Sequence, residues 1–177
     1  LQAHEIQSKY DLSQNWKIDR NLSINDNELG VKIYPLYDDS SMELSISFHS
    51  TPAKSHLALL ADGEILREAG WYAPTGQGEQ LLEMQRAALQ ETGLLNDEWH
   101  PQFAMALSEA KRIKEQYEAA GYSVSVTGHG AGGSIAQLAS YTLDLPGNAF
   151  DPLGAKNLTQ SRGYAQWCRE NGIDPQE

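Results

Sequence analysis

Tyr122-Ser-Val-Ser-Val-Thr-Gly-His-Gly-Ala-Gly-Gly-Ser-Ile-Ala-Gln-Leu-Ala139 decides the fold. Tyr122 to Thr127 is a β-rich run. Gly128 to Gly133 is a glycine-rich turn, and the mostly apolar stretch from Ser134 to Thr142 reads as a helix. After Leu145-Pro-Gly147, the short Asn148-Ala-Phe150 reads as the next strand. Strand, tight turn, helix and strand in that order form a βαβ unit, which calls for a parallel sheet with helices on its faces.

Upstream, Gly30 to Tyr37 alternates apolar and polar residues. Asp38-Asp-Ser-Ser41 is a turn cluster. Met42, Leu44, Ile46 and Phe48 then line one face of a second run, so the pair reads as a β-hairpin. The opening third is therefore β-rich. The middle is helical. Residues 79–92 carry Leu81, Leu82, Met84, Ala88 and Leu89, with Gly93 as a stop. Residues 101–120 place Phe103, Ala106, Leu107, Ala110, Ile113 and Tyr117 at helical spacing, with Pro101 in the first turn and Gly121 after the end. A further helix is expected near 157–171. No repeat or linker divides the 177 residues, so one domain over 1–177 is expected.

Thirteen Lys and Arg against 24 Asp and Glu give a net charge of −11. Such a surface repels phosphate backbones and argues against nucleic acid as a partner. No apolar run is long enough for a transmembrane segment, and no leader peptide is visible. Cys168 is the single cysteine, beside Trp167 and close to Tyr164, and reads as a packing residue. The five histidines are scattered and no metal-ligand spacing occurs, so neither a metal nor another cofactor is expected. Asp26, Asp38 and Asp39 read as turn residues.

The glycine turn supports three readings. Gly128-His129-Gly130-Ala131-Gly132 has the frame of a nucleophile elbow, G-x-S-x-G, with glycine where serine belongs. Gly128-x-Gly130-x-x-Gly133 is also a literal dinucleotide fingerprint, with Asp151 where a ribose-binding acid belongs. Only 26 residues follow Asp151, however, and the fingerprint usually opens its domain. The third reading is a connection with no chemistry. A P-loop is excluded because no lysine follows the glycines.

Other segments resemble class 3 lipases and the lipase-like domains of bacterial secreted effectors. Phe48-His49-Ser50-Thr51 stands where that family has F-R-G-[ST]. His100-Pro-Gln-Phe103 is similar to its H-x-x-F helix opening. Val126 to Ala139 matches V-T-G-H-S-x-G-G-x-x-A-Q-x-A with Gly130 in place of serine. Leu145 to Gly154 is similar to the glycine-proline step and following strand. The resemblance spans residues 12 to 172 or so. It implies an α/β-hydrolase sheet with flanking helices and ester hydrolysis of a lipid or acyl substrate through a serine nucleophile. Gly130 would hold the nucleophile position, and the Ala131 N–H and Thr51 would form the oxyanion hole. The resemblance also implies that His129 packs beneath the turn.

Two departures argue against activity. Gly130 cannot form an acyl-enzyme. Hydrolases of this fold order their triad Ser, Asp, His, and none of His4, His49, His56, His100 and His129 follows the turn. The C-terminal part of the family's domain is expected to be missing. A binding role for an inactive relative is the alternative, with a protein partner or a missing C-terminal segment completing the fold. No compartment follows from the residues themselves; the effector likeness would fit a secreted protein. Where the sheet ends after 148–150, the bare edge should be covered by residues 155–171, by another subunit or by an absent piece.

Overall fold

A computed structural model describes residues 15–50, 77–91 and 100–174, with the side chains of Ser50, Gln77, Glu79, Leu81, Leu82, Leu89 and Asn157 outside that description. The strands are β1 (Lys17–Ile18), β2 (Ile24–Asp26), β3 (Val31–Asp38), β4 (Glu43–Ser50), β5 (Ser123–His129) and β6 (Gly147–Phe150). The helices are α1 (Gln77–Glu91), α2 (Pro101–Ala119), α3 (Ala131–Leu143) and α4 (Arg162–Glu170), the last preceded by a 3₁₀ turn over Asn157–Gln160. All six strands share one sheet in the order β1-β3-β4-β5-β6, with β2 also pairing β3.

The hairpin expected from the sequence is β3–β4, antiparallel from Val31↔Ser50 to Asp38↔Glu43. Its turn is held by Asp38, whose Oδ1 accepts the Ser40 N–H at 2.9 Å and the Ser40 hydroxyl at 2.6 Å. These bonds to the ionised form lower the Asp38 carboxyl below its usual range. Asp26 acts alike, accepting the N–H groups of Glu28 and Leu29. The turn-residue reading of both aspartates fits this geometry. Asp39 instead takes the Tyr122 hydroxyl and lies near Lys17.

β4 and β5 run parallel, as do β5 and β6. Parallel neighbours need a crossover, and α3 supplies the one between β5 and β6. The pleat then sorts the side chains. Val31, Ile33, Leu44, Ile46, Phe48, Val124 and Val126 fall on one face and are almost fully buried. Phe103, Ala106, Leu107, Ala110 and Ile113 of α2 and Ile135, Ala136, Leu138 and Ala139 of α3 close over them. At about 25 cal/mol per Å² of apolar surface, this layer is the main source of stability. The far side of α2 is solvated and carries Lys111–Glu115 and Lys114–Glu118 pairs. Such exposed i,i+4 pairs contribute only about 0.3–0.5 kcal/mol each.

The other face of the sheet is rich in hydroxyls. Ser45 lies opposite Ser125 and Ser47 opposite Thr127 across the β4–β5 seam. Sheets of parallel strands usually present apolar residues on both faces, so this polar face is a departure within an otherwise ordinary α/β arrangement.

α4 begins at Ser161, whose hydroxyl accepts the Tyr164 N–H at 3.1 Å. It docks on the other helices. The Tyr164 hydroxyl meets Thr142 Oγ1 of α3 at 2.9 Å, and Trp167 Nε1 donates to Ser108 Oγ of α2 at 3.0 Å. Cys168 is buried between these anchors, and burial pushes its thiol pKa up. Of the three covers expected for the sheet edge, residues 155–171 are set aside, since α4 lies on the helix layer. The two aromatic residues, Tyr164 and Trp167, direct α4 to the helix layer. β6 keeps a single strand neighbour among the described residues.

Candidate active site: the glycine corner between β5 and α3

The chain leaves β5 at His129, turns at Gly130 and enters α3 at Ala131. Gly130 has φ 59° and ψ −126°. This backbone region belongs almost entirely to glycine, and any other residue holds it at a cost of about 1–3 kcal/mol. Among the described residues, a Cβ built at Gly130 would meet nothing within 4 Å, leaving aside its two chain neighbours. The strain of a serine here would therefore come from the backbone and not from crowding.

Two neighbours make the corner tight. Gly128 lies against the backbone of Gly132 and Gly133, and Gly132 lies against the Phe48 carbonyl of β4. The glycines thus let α3 approach the sheet directly above the corner. Two hydrogen bonds fix the turn. The Gly130 N–H donates to the carbonyl of Phe150, the last residue of β6, at 2.9 Å, and the Ser134 N–H donates to Gly130 O at 3.1 Å. Ser134 is itself fully buried, and its hydroxyl accepts the Leu153 N–H at 3.1 Å. It ties α3 to the chain beyond β6, a structural role.

Ala131 is the first residue of α3, so its N–H belongs to the unsatisfied first turn of the helix, at the positive end of the macrodipole. Gly130, as N-cap, offers no side chain to that turn. The corner can therefore favour a negative charge developing beside it. Thr51 lies outside the described residues. β4, the strand that leads to it, runs beside β5 and ends next to the corner.

His129 does not pack beneath the turn. The period-2 alternation of β5 places it with Ser123, Ser125 and Thr127 on the hydroxyl face, where its side chain is 75% exposed. Its Nε2 lies 3.3 Å from Asp151 Oδ2, and Asp151 is a non-glycine residue at φ 46°. The sequence reading misses this pair beside Gly130, although the alternation of β5 carries the signal for it. An exposed pair of this kind stabilises little.

The remaining described histidines are engaged elsewhere. His100 is buried at the N-cap of α2, where its Nδ1 accepts the Gln102 N–H at 3.0 Å. His49 lies on the hydroxyl face of β4, 2.9 Å from the Ser47 hydroxyl, and burial, with the Lys32 charge nearby, lowers its pKa. No described cluster of three or more His, Cys, Asp or Glu side chains could hold a metal ion. No helix among the described residues is long and apolar enough to cross a membrane.

No curated protein matches the chain. Residues 77–152 match the family model described as Lipase (class 3), an α/β-hydrolase family.

Proposed function

We propose that this is a lipase-like serine-hydrolase domain in which Gly130 occupies the nucleophile position, so that the site can hold an acyl ester but cannot form an acyl-enzyme. The observation that carries the reading is the backbone of Gly130. A residue at φ 59° on a strand-to-helix corner, with no described atom crowding the place where a side chain would project, is what a nucleophile elbow requires. In this reading the Ala131 N–H and Thr51 are the oxyanion donors, the latter carried over from the family alone. A binding role for lipid or a protein partner follows if the glycine is natural.

The competing dinucleotide reading uses the same glycines and makes a different demand: NAD should bind. Thermal melting separates the two. N-Hexylbutyramide, an uncleavable isostere of a short ester, should raise the melting temperature by roughly 3–5 °C at about ten times its Kd. NAD should leave it unchanged. A rise with NAD, or no response to the amide up to its solubility limit, would overturn the proposal.

A further inference from the structure

We propose that the groove between α3 and the 3₁₀ turn binds a small amphipathic carboxylate, with its apolar chain along Leu138, Tyr141 and Ala155 and its anionic head at the Lys156 ammonium. The inference is independent of how Gly130 is read.

The groove is built by the chain beyond β6. Ser134 Oγ accepts the Leu153 N–H at 3.1 Å and holds that chain against α3. Gly154 follows at φ 101°, a backbone that favours glycine, and Ala155 and Lys156 then line the groove beside the helix. The turn is fixed from within. The Leu158 N–H donates to Ala155 O at 3.1 Å, and the Thr159 hydroxyl donates to Lys156 O at 2.6 Å. α3 supplies the facing wall with Gln137, Leu138 and Tyr141. Between the walls lies a volume of about 600 Å³. Small-molecule sites span about 300–1,000 Å³.

The lining selects the ligand. Leu138 and Ala155 are apolar and buried, while Tyr141, 45% exposed, is one of four large hydrophobic side chains left exposed among the described residues. An apolar tail lying in the groove takes the Tyr141 ring out of water. Charge sets the head. Lys156 is the only ionic side chain among the described residues of the lining. On α2, Lys111, Arg112 and Lys114 each hold a glutamate, whereas no described carboxylate pairs with Lys156. The amides of Gln137 and Gln160 add neutral donors to the same lining. One ammonium matches one negative charge. A carboxylate carries one, and a phosphate monoester carries nearly two. The net charge of −11 opposes anions as a whole. Exposed charges farther off than about 8 Å are largely screened at physiological ionic strength, so a head held in the groove answers mainly to Lys156.

Amide NMR of the isotope-labelled full chain, titrated with octanoate, octylammonium and 1-octanol, tests this. Octanoate should shift the amides of residues 137–141 and 154–160 saturably, in the millimolar range and below its micellar concentration. 1-Octanol should act there more weakly and octylammonium least. Net charge alone predicts the reverse order, with octylammonium first. Lys156→Met keeps the apolar stem and removes the charge, so it should weaken octanoate about fivefold and leave 1-octanol unchanged. Tyr141→Ala should weaken both. The amide spectrum of each variant verifies that it is folded. No saturable shift at these amides with octanoate would overturn the proposal. So would octylammonium saturating them as readily as octanoate, or a folded Lys156→Met variant with the parent's octanoate affinity.

Discussion

The chain should not hydrolyse a nitrophenyl ester above background, and Gly130→Ser should neither restore turnover nor create a burst. Serine is a weak nucleophile until a base takes its proton. His100 is sealed at the start of α2, His49 faces Ser47 on the opposite side of the sheet, and His129 points to that same hydroxyl face. His4 and His56 lie outside the described residues, and no histidine follows residue 130 in the sequence. The deficit is large. Loss of the serine or histidine of a triad lowers turnover by about 10⁶-fold, and what remains comes from the oxyanion hole and binding alone. Stopped-flow measurement of both proteins checks the expectation. A burst stoichiometric with the Gly130→Ser variant would refute it and would identify a recruited histidine as base.

The second large effect concerns stability. Gly132→Ala should destabilise the fold by about 2–3 kcal/mol, at the upper end of the range for overpacking. The added Cβ would press on the Phe48 carbonyl oxygen, lie 2.9 Å from the Phe48 carbonyl carbon and lie 3.2 Å from His49 Cα. These are backbone atoms of a central strand, and no rotamer change moves them. α3 would have to withdraw from β4, and with it the N–H of Ala131. Gln137→Ala, on the exposed side of the same helix, should stay within about 0.5 kcal/mol. Urea unfolding with a common m-value measures both. A Gly132→Ala protein as stable as its parent would contradict the close approach on which the corner depends.

The parts of the fold written in strong periodicity were legible. Alternation in 31–36, 42–48 and 122–127 marked β3, β4 and β5 to within two or three residues of their ends. The apolar spacing from Phe103 to Tyr117 marked α2, whose buried residues include those named from the sequence. β1 and β2 were not legible. They span only two and three residues and exist because β3 offers them partners. The course of α4 was also hidden. Nothing local to Tyr164 and Trp167 states that their polar atoms meet Thr142 and Ser108, far off in sequence.

At the site, the position of Gly130 and the need for small neighbours were readable from the glycine spacing. The exposure of His129 was obscured by the family pattern, although the alternation of β5 already assigned it to the hydroxyl face. The polar face itself was present as Ser123, Ser125 and Thr127, every second residue of one strand. Its meaning required the neighbouring serines of β4 to be placed opposite them.

The central claim is that a side chain at position 130 stands exposed at the positive end of α3, poised to react. Gly130→Cys tests it most directly. Alkylation by iodoacetamide is followed across pH, with the buried Cys168 of the parent chain as the slow reference. The account predicts one fast thiol whose reactivity has its midpoint below the ordinary value of about 8.5, because the helix N-terminus stabilises the thiolate. A thiol at 130 that reacts no faster than Cys168, or that titrates at or above the ordinary value, would contradict it.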